Sequence, residues 1–285
     1  MLISRRVDDL QLVAQQEHAR VAGAMAAAWG NEHFSAGAAP ASLAIAATRH
    51  DDGWEGLDAA PVLNVDAGRP AHFLEVALID TVAPYGEGVD RIYHEDVRAG
   101  VLASMHRAGL WASRWGVQDS PPNEHPLARE VVAAEDRRIT EHTRELWQAH
   151  GGRRSEFEAA LWRDYEALQA LDLLSLALCL LDTRQPTDPK APRPLAAMTL
   201  RELEQPPGGR VVAGVPAAAG ARADLRLDVI DAGVVRVDPF PFSGGELTLA
   251  LAARRMADGP HADAAAAYHG AEIVTAAITL VAALR

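Results

Sequence analysis

Apolar positions recur at helical spacing along most of the chain up to Leu181, and at alternating spacing along much of the remainder. Leu2-Ile3-Ser4-Arg5-Arg6 and Leu10-Gln11-Leu12-Val13-Ala14 flank Val7-Asp8-Asp9, a pattern that predicts a short hairpin. Val21, Ala22, Met25, Ala26 and Trp29 then mark an amphipathic helix ending at Gly30. Leu43, Ala46, Ala47, His50 and Trp54 mark a second, closing at Gly53. Between Gly53 and Glu95 the prolines and glycines predict a long loop with one helix around Phe73 to Val82. Periodicity resumes at about Arg91 and runs through Ala99, Leu102, Ala103, His106 and Leu110. Gln118 to Pro126 reads as a polar connection, and Pro126 to His150 as a charged helix stopped by Gly151-Gly152. Ser155 to Leu181 is apolar nearly all round, which predicts a central helix.

Thr183 to Pro194 and Pro206 to Gly220 are rich in chain-breaking residues. Strands are expected at Leu225–Ile230, Val234–Val237 and Glu246–Leu251, with Asp231-Ala232-Gly233 and Ser243-Gly244-Gly245 as turns. Ser243-Gly244-Gly245 joins strands instead of opening a helix, so it is not a phosphate cradle. Ala264 to Leu284 suits helix, strand or both. The expected fold class is therefore mainly α: a helical domain over residues 1–184, including the hairpin, and a smaller β-rich region over residues 185–285, whose strands need more partners that the N-terminal hairpin could supply.

Composition narrows the function classes. A net charge of -12 argues against a general nucleic-acid binder, whose phosphate-tracking surface is basic. Nearly all positive charge is arginine, Lys190 being the sole lysine. The single cysteine, Cys179, lies in an apolar run and reads as core packing, so no intramolecular disulfide forms. Leu171–Leu181 and Ala271–Leu284 fall short of the roughly 18 residues of a membrane span. No apolar signal segment follows the N-terminal arginines, and a cytoplasmic location is expected. A small-molecule substrate is the expected partner, and a homo-oligomer is open.

Three polar positions fall on faces that should be buried. His18 shares its face with Ala22, Met25 and Trp29, and His50 lies on the apolar face of the next helix. Asp51 follows directly, about a quarter turn on, and an adjacent imidazole and carboxylate can hold one divalent cation. Asp172 sits inside the central helix, where a carboxylate needs a cation or hydrogen-bond donors. No glycine-rich nucleotide fingerprint, nucleophile elbow or cysteine-based zinc pattern is present. His125, His142 and His150 occupy polar settings and read as surface residues.

The order His18, His50-Asp51, Asp172 resembles the H…HD…D metal-binding pattern of the HD superfamily, which implies an HD-domain-like helical bundle. More closely, the chain looks like the uncharacterised bacterial family catalogued as domain of unknown function 3891. The similar pieces are Gln15–Arg20, His50–Trp54, Ser104-Met105-His106, Leu168–Leu176 and Pro239-Phe240-Pro241-Phe242. The HD resemblance implies a divalent metal ion (Fe, Mn, Zn, Ni or Mg) held by His18, His50, Asp51 and Asp172. It implies a hydrolase acting on a small phosphorylated or anionic substrate. Asp52 and His106 are then catalytic candidates, and Arg20, Arg49 and Arg107, each near an implied ligand, are substrate-binding candidates. Two further readings are an HD-type di-iron oxygenase, drawing on His106 with His72 or His94, and a non-enzymatic, degenerate HD-like binding protein. His94 lies about 120° from His106 on a continuous wheel, so the two do not serve one ion from one helix.

Overall fold

The structure, a computed structural model, describes residues 1–6, 8–112, 122–188, 193–194 and 209–283. Lys190 and residues 118–121 of the Gln118–Pro126 connection lie outside the described residues. The alternating N-terminal segment forms a hairpin, β1 (Leu2–Arg5) antiparallel to β2 (Asp9–Val13). Both of its faces are covered: Leu2 and Val13 join the main core, while Ile3, Leu10 and Leu12 pack with Met256 and Tyr268. α1 (Gln15–Ala28) and α2 (Pro40–Arg49) come next and lie side by side. The chain leaving α1 is tied to the Pro239–Phe242 stretch. Gly30 N–H donates to the Pro241 carbonyl, Asn31 donates to those of Phe240 and Phe242, and Trp29 packs edge-on against Phe34 and Phe242.

After α3 (Glu55–Ala59) and a two-stranded ribbon of β3 (Leu63–Asn64) and β4 (Arg69–Pro70), the structure departs from expectation. The segment expected to be loop carries α4 (Leu78–Glu95), which contains Pro84, Gly86 and Gly88. The glycines there are contact points, not turns. A Cβ at Gly88 would lie 2.5 Å from the backbone nitrogen of Gly53, and one at Gly86 would lie 3.2 Å from the Arg107 guanidinium. The single helix expected from Arg91 to Leu110 is instead broken at Asp96, whose side chain accepts from Ala99 N–H and opens α5 (Val97–Ala112). That break voids the wheel angle between His94 and His106. α6 (Pro126–His150) is the charged helix expected. α7 (Arg154–Leu180) is buried at every position from Asp164 to Leu180.

The remaining strands are β5 (Arg193–Pro194), β6 (Arg210–Pro216), β7 (Arg222–Asp231), β8 (Val234–Asp238), β9 (Glu246–Ala257) and, after α8 (Ala264–Gly270), β10 (Glu272–Ala282). Among the described residues they form one eight-stranded sheet with the hairpin, in the order β1-β2-β9-β10-β8-β7-β6-β5. The fold is thus mixed α and β, where mainly α was expected. β6 falls in a Pro/Gly/Ala stretch read as connection, and β10 in a segment whose periodicity leaves helix and strand undecided. The sheet also crosses the expected boundary at 184/185, since β2 pairs with β9 and one core runs from Leu2 to Leu280. α1 and α7 lie against this sheet, with α2 and α5 packed on them from the other side. No helix among the described residues is long and apolar enough to cross a membrane.

Arg6 locks the hairpin to the central helix. Its buried guanidinium donates to the carbonyls of Cys179, Leu180 and Leu181, which the end of α7 leaves without helical partners. Burial pulls its pKa down to about 10, so it stays charged at neutral pH. Arg6→Met is expected to cost about 3 kcal/mol, because it strands buried carbonyls while keeping much of the side chain's bulk. The midpoint of denaturant unfolding measures it.

Candidate metal centre

α1 places His18 on the face that packs against α7, and α2 ends on His50, its C-terminal cap. The chain leaves the helix at Asp51 (φ -108°, ψ 19°), which turns that carboxylate back towards His18. α7 supplies Asp172 and α5 supplies His106. The four implied ligands and His106 come together, none more than 5 % exposed. His18 Nε2 lies 2.8 Å from Asp51 Oδ2, and His50 Nε2 lies 3.4 Å from Asp172 Oδ1 and 3.9 Å from Asp51 Oδ2. The His50 ring centroid is 5.1 Å from that of His18 and 4.9 Å from that of His106. Two triads share His50: His18, His50 and Asp51; and His50, His106 and Asp172, each with ligand atoms within 4.8 Å of one another.

The hydrogen bonds around the cluster assign its lone pairs. His50 Nδ1 is 2.9 Å from the Ala47 carbonyl and can only donate to it, which leaves Nε2 without a hydrogen-bond partner in a sealed interior. Ser175 donates its hydroxyl hydrogen to the Asp172 carbonyl at 2.7 Å, so its oxygen accepts from His18 Nδ1–H at 2.8 Å. Both imidazoles therefore turn Nε2 towards carboxylate oxygens, an arrangement that requires positive charge between them. Either each ring carries a second proton, or one divalent cation replaces both. With protons alone, burial lowers the His50 pKa but the charges of Asp51 and Asp172 outweigh it and push it up to about 9. Against burial, which raises them, neighbouring histidines hold Asp51 and Asp172 below the usual carboxylate range. Burial pushes His106 down to about 4 despite Asp172, so it is neutral at neutral pH, the state a metal ligand needs.

The model of a protein family of unknown function, DUF3891, matches residues 1–258. The chain belongs to that family. No curated protein and no solved structure matches it. In this DUF3891 protein, two residues that the sequence did not mark as functional brace Asp51. The Tyr85 hydroxyl donates to Oδ1 at 3.0 Å, and Gln15 Nε2 donates to Oδ2 at 3.3 Å. Burial and the charge of Asp51 push the Tyr85 phenol well above its usual pKa, so it remains a donor. Gln15 belongs to the family-like piece Gln15–Arg20; Tyr85 falls in the segment expected to be loop and carries no local signal.

Other expected site residues have partners elsewhere. The Asp52 carboxylate is taken by Arg49 at 2.7 Å, and Arg49 also pairs with Glu95, so both are engaged outside the cluster. Arg20 pairs with Glu17 at 2.8 Å and bonds the Ala250 carbonyl, while Glu17 accepts from Ala252 N–H; together they cover the edge of β9 where β2 stops pairing. Arg107 is buried, with Glu135 at 2.6 Å and the Val82 carbonyl at 2.6 Å, its guanidinium 5.7 Å from the Tyr85 ring centroid.

Of the histidines named for the di-iron reading, His106 is among the converging residues and His72 and His94 are not. His94 is exposed on α4. His72 caps the short helix Phe73–Glu75, its Nδ1 accepting from Leu74 N–H. Burial pushes the His72 pKa down to about 3, below the roughly 6.5 of an unfolded chain. The unfolded state takes its proton first as pH falls, so this contribution to stability is complete above about pH 6.5 and declines below it. By pH 5 the loss is about 2 kcal/mol. His72→Asn retains a capping oxygen, and its melting temperature is expected to fall less than that of the wild type between pH 7.5 and pH 5.

Proposed function

We propose that this protein is a metal-dependent hydrolase of HD type, with His18, His50, Asp51 and Asp172 holding one divalent ion and His106 beside them. The observation that supports it is the facing of two imidazole lone pairs onto two buried carboxylates, with His50 Nε2 left without a hydrogen bond. Two neutral imidazoles, two carboxylates and a divalent cation sum to zero charge, which a dry interior favours. When bound, such an ion supplies a lowered pKa for water and polarises an anionic ester oxygen.

The chain's own groups do the rest. Tyr85 and Gln15 hold Asp51 in one orientation, the Ala47 carbonyl fixes the His50 tautomer, and Ser175 fixes that of His18. Of the three candidate arginines, Arg107 lies over the ring of the Asp51-bound tyrosine, with its charge paired to Glu135. Mixed N/O donors suit Fe, Mn, Zn or Ni better than Mg, which prefers oxygen. Convergence of five polar groups, with His72 capping the helix Phe73–Glu75 and His94 exposed on α4, favours one ion over the di-iron oxygenase reading.

The test strips the full-length protein with a chelator, reloads it separately with each ion, and assays p-nitrophenyl phosphate and its diester. Hydrolysis that returns with one or more ions and is absent from the stripped protein is expected. Stoichiometric metal without hydrolysis of either ester would reject the phosphoester reading while leaving the metal centre standing. Absence of metal under all conditions would leave the degenerate binding protein.

A further inference from the structure

We propose that Arg107 and Glu135 are positioning residues of the metal centre, a buried ion pair that holds the ring of Tyr85 and, through its hydroxyl, the orientation of Asp51. The inference rests on the metal reading and extends it beyond the ligands to what keeps one of them in place. Tyr85 donates to Asp51 Oδ1 at 3.0 Å from a side chain buried inside the core. A single hydrogen bond leaves such a ring free to tilt, so its orientation depends on what lies against its face. That neighbour is a guanidinium on the next helix. Arg107 Cζ lies 5.7 Å from the Tyr85 ring centroid and 5.9 Å from that of Trp111, within cation–π range of both.

The sequence of α4 makes room for this contact. Gly86, next to Tyr85, presents no side chain, and a Cβ there would lie 3.2 Å from Arg107 Nη1. Arg107 Nη2 donates to the Val82 carbonyl at 2.6 Å, so the guanidinium meets α4 both before and after Tyr85. Glu135, 2 % exposed on α6, then fixes Arg107 Nη1 at 2.6 Å. A positive charge neutralised by a buried carboxylate is a poor anchor for an anionic substrate, which moves Arg107 from substrate binding to positioning. Burying such a pair gains little net stability. What it secures is geometry: three helices, α4, α5 and α6, are clamped around the one phenol that orients a metal-ligand carboxylate. Arg20 and Arg49, the other two candidate arginines, pair with Glu17 and with Asp52 and Glu95 and make no such contact with Tyr85.

Titration of the chelator-stripped full chain with cobalt(II), followed by its visible absorption, reads both the affinity and the ligand geometry. Replacing the pair together, Arg107→Met with Glu135→Met, leaves no charge buried alone and is expected to melt close to the wild type. It is expected to bind cobalt(II) about fivefold more weakly and with an altered band shape, and Tyr85→Phe about tenfold more weakly. In the Tyr85→Phe background the pair replacement is expected to add no further loss, because the hydrogen bond it acts through is already gone. Arg107→Lys keeps the charge beside Glu135 but lacks the planar face, and is expected to weaken binding as well. Wild-type affinity in both Arg107 variants, or the same fold-loss with and without the Tyr85 hydroxyl, would overturn the proposal. A wild-type protein that binds no cobalt(II) would instead reject the metal centre itself, and this inference with it.

Discussion

His50→Ala, purified without chelator, is expected to carry on the order of a tenth or less of the divalent metal found in the wild-type protein by elemental analysis. No other residue belongs to both triads, and its Nε2 is buried without a hydrogen bond while its ring is held by Ala47. Removal opens a void between Asp51 and Asp172, which lose their shared partner. Buried carboxylates without compensating charge are costly, so a lower melting temperature should accompany the metal loss. Asp52→Asn provides the contrast: its carboxylate serves Arg49, and the variant should retain wild-type metal. Equal metal in wild type and His50→Ala would remove the centre. An Asp52→Asn variant as depleted as His50→Ala would move it towards Arg49.

The second large effect is expected from Gly53→Ala, which should lower stability by about 3 kcal/mol and the melting temperature by about 5 °C or more. Gly53 is required for space, since its φ is not in the left-handed region. A Cβ there would lie 2.4 Å from Tyr85 Cα and 2.6 Å from the Pro84 carbonyl oxygen, backbone atoms that move only if α4 moves. Gly88 meets the same contact from the other side, 2.5 Å from Gly53 N. Because α4 carries Tyr85, displacing it loosens the hydrogen bond that orients Asp51, so metal affinity should fall along with stability. Gly56→Ala is the control, with nothing within 4 Å of the added carbon, and should be neutral or slightly stabilising. A Gly53→Ala protein as stable as Gly56→Ala would show that α4 is not packed as described.

The contrast between Gly53 and its surroundings shows how unevenly the fold was legible. Long periodic stretches carried their own signal. The helix at Pro126–His150 was legible to its true ends, and the central helix to within a residue, because a proline starts one and an unbroken apolar run makes the other. Between Gly53 and Glu95 glycine and proline looked like loop, since the same residues that make turns also permit two backbones to touch. Only the neighbour tells the two apart. β6 and β10 were missed or left undecided for a related reason: alanine, glycine and valine in short runs take the conformation their pairing partners impose.

His18, His50 and Asp172 could be singled out because each is a polar residue on a face that the apolar pattern marks as interior, whereas Asp51 was marked by its adjacency to His50 and His106 by the family-like piece Ser104-Met105-His106. Burial of a polar group implies a partner, so the sequence by itself also determined that partners must exist. Which partners they are was decided by tertiary structure. Asp52 and Asp51 are adjacent in the chain, yet one meets Arg49 and the other meets two histidines, a tyrosine and a glutamine. The physical reason is range: periodicity reports which side of a helix faces inward, whereas a ligand set is fixed by distances of a few ångströms between helices far apart in the chain.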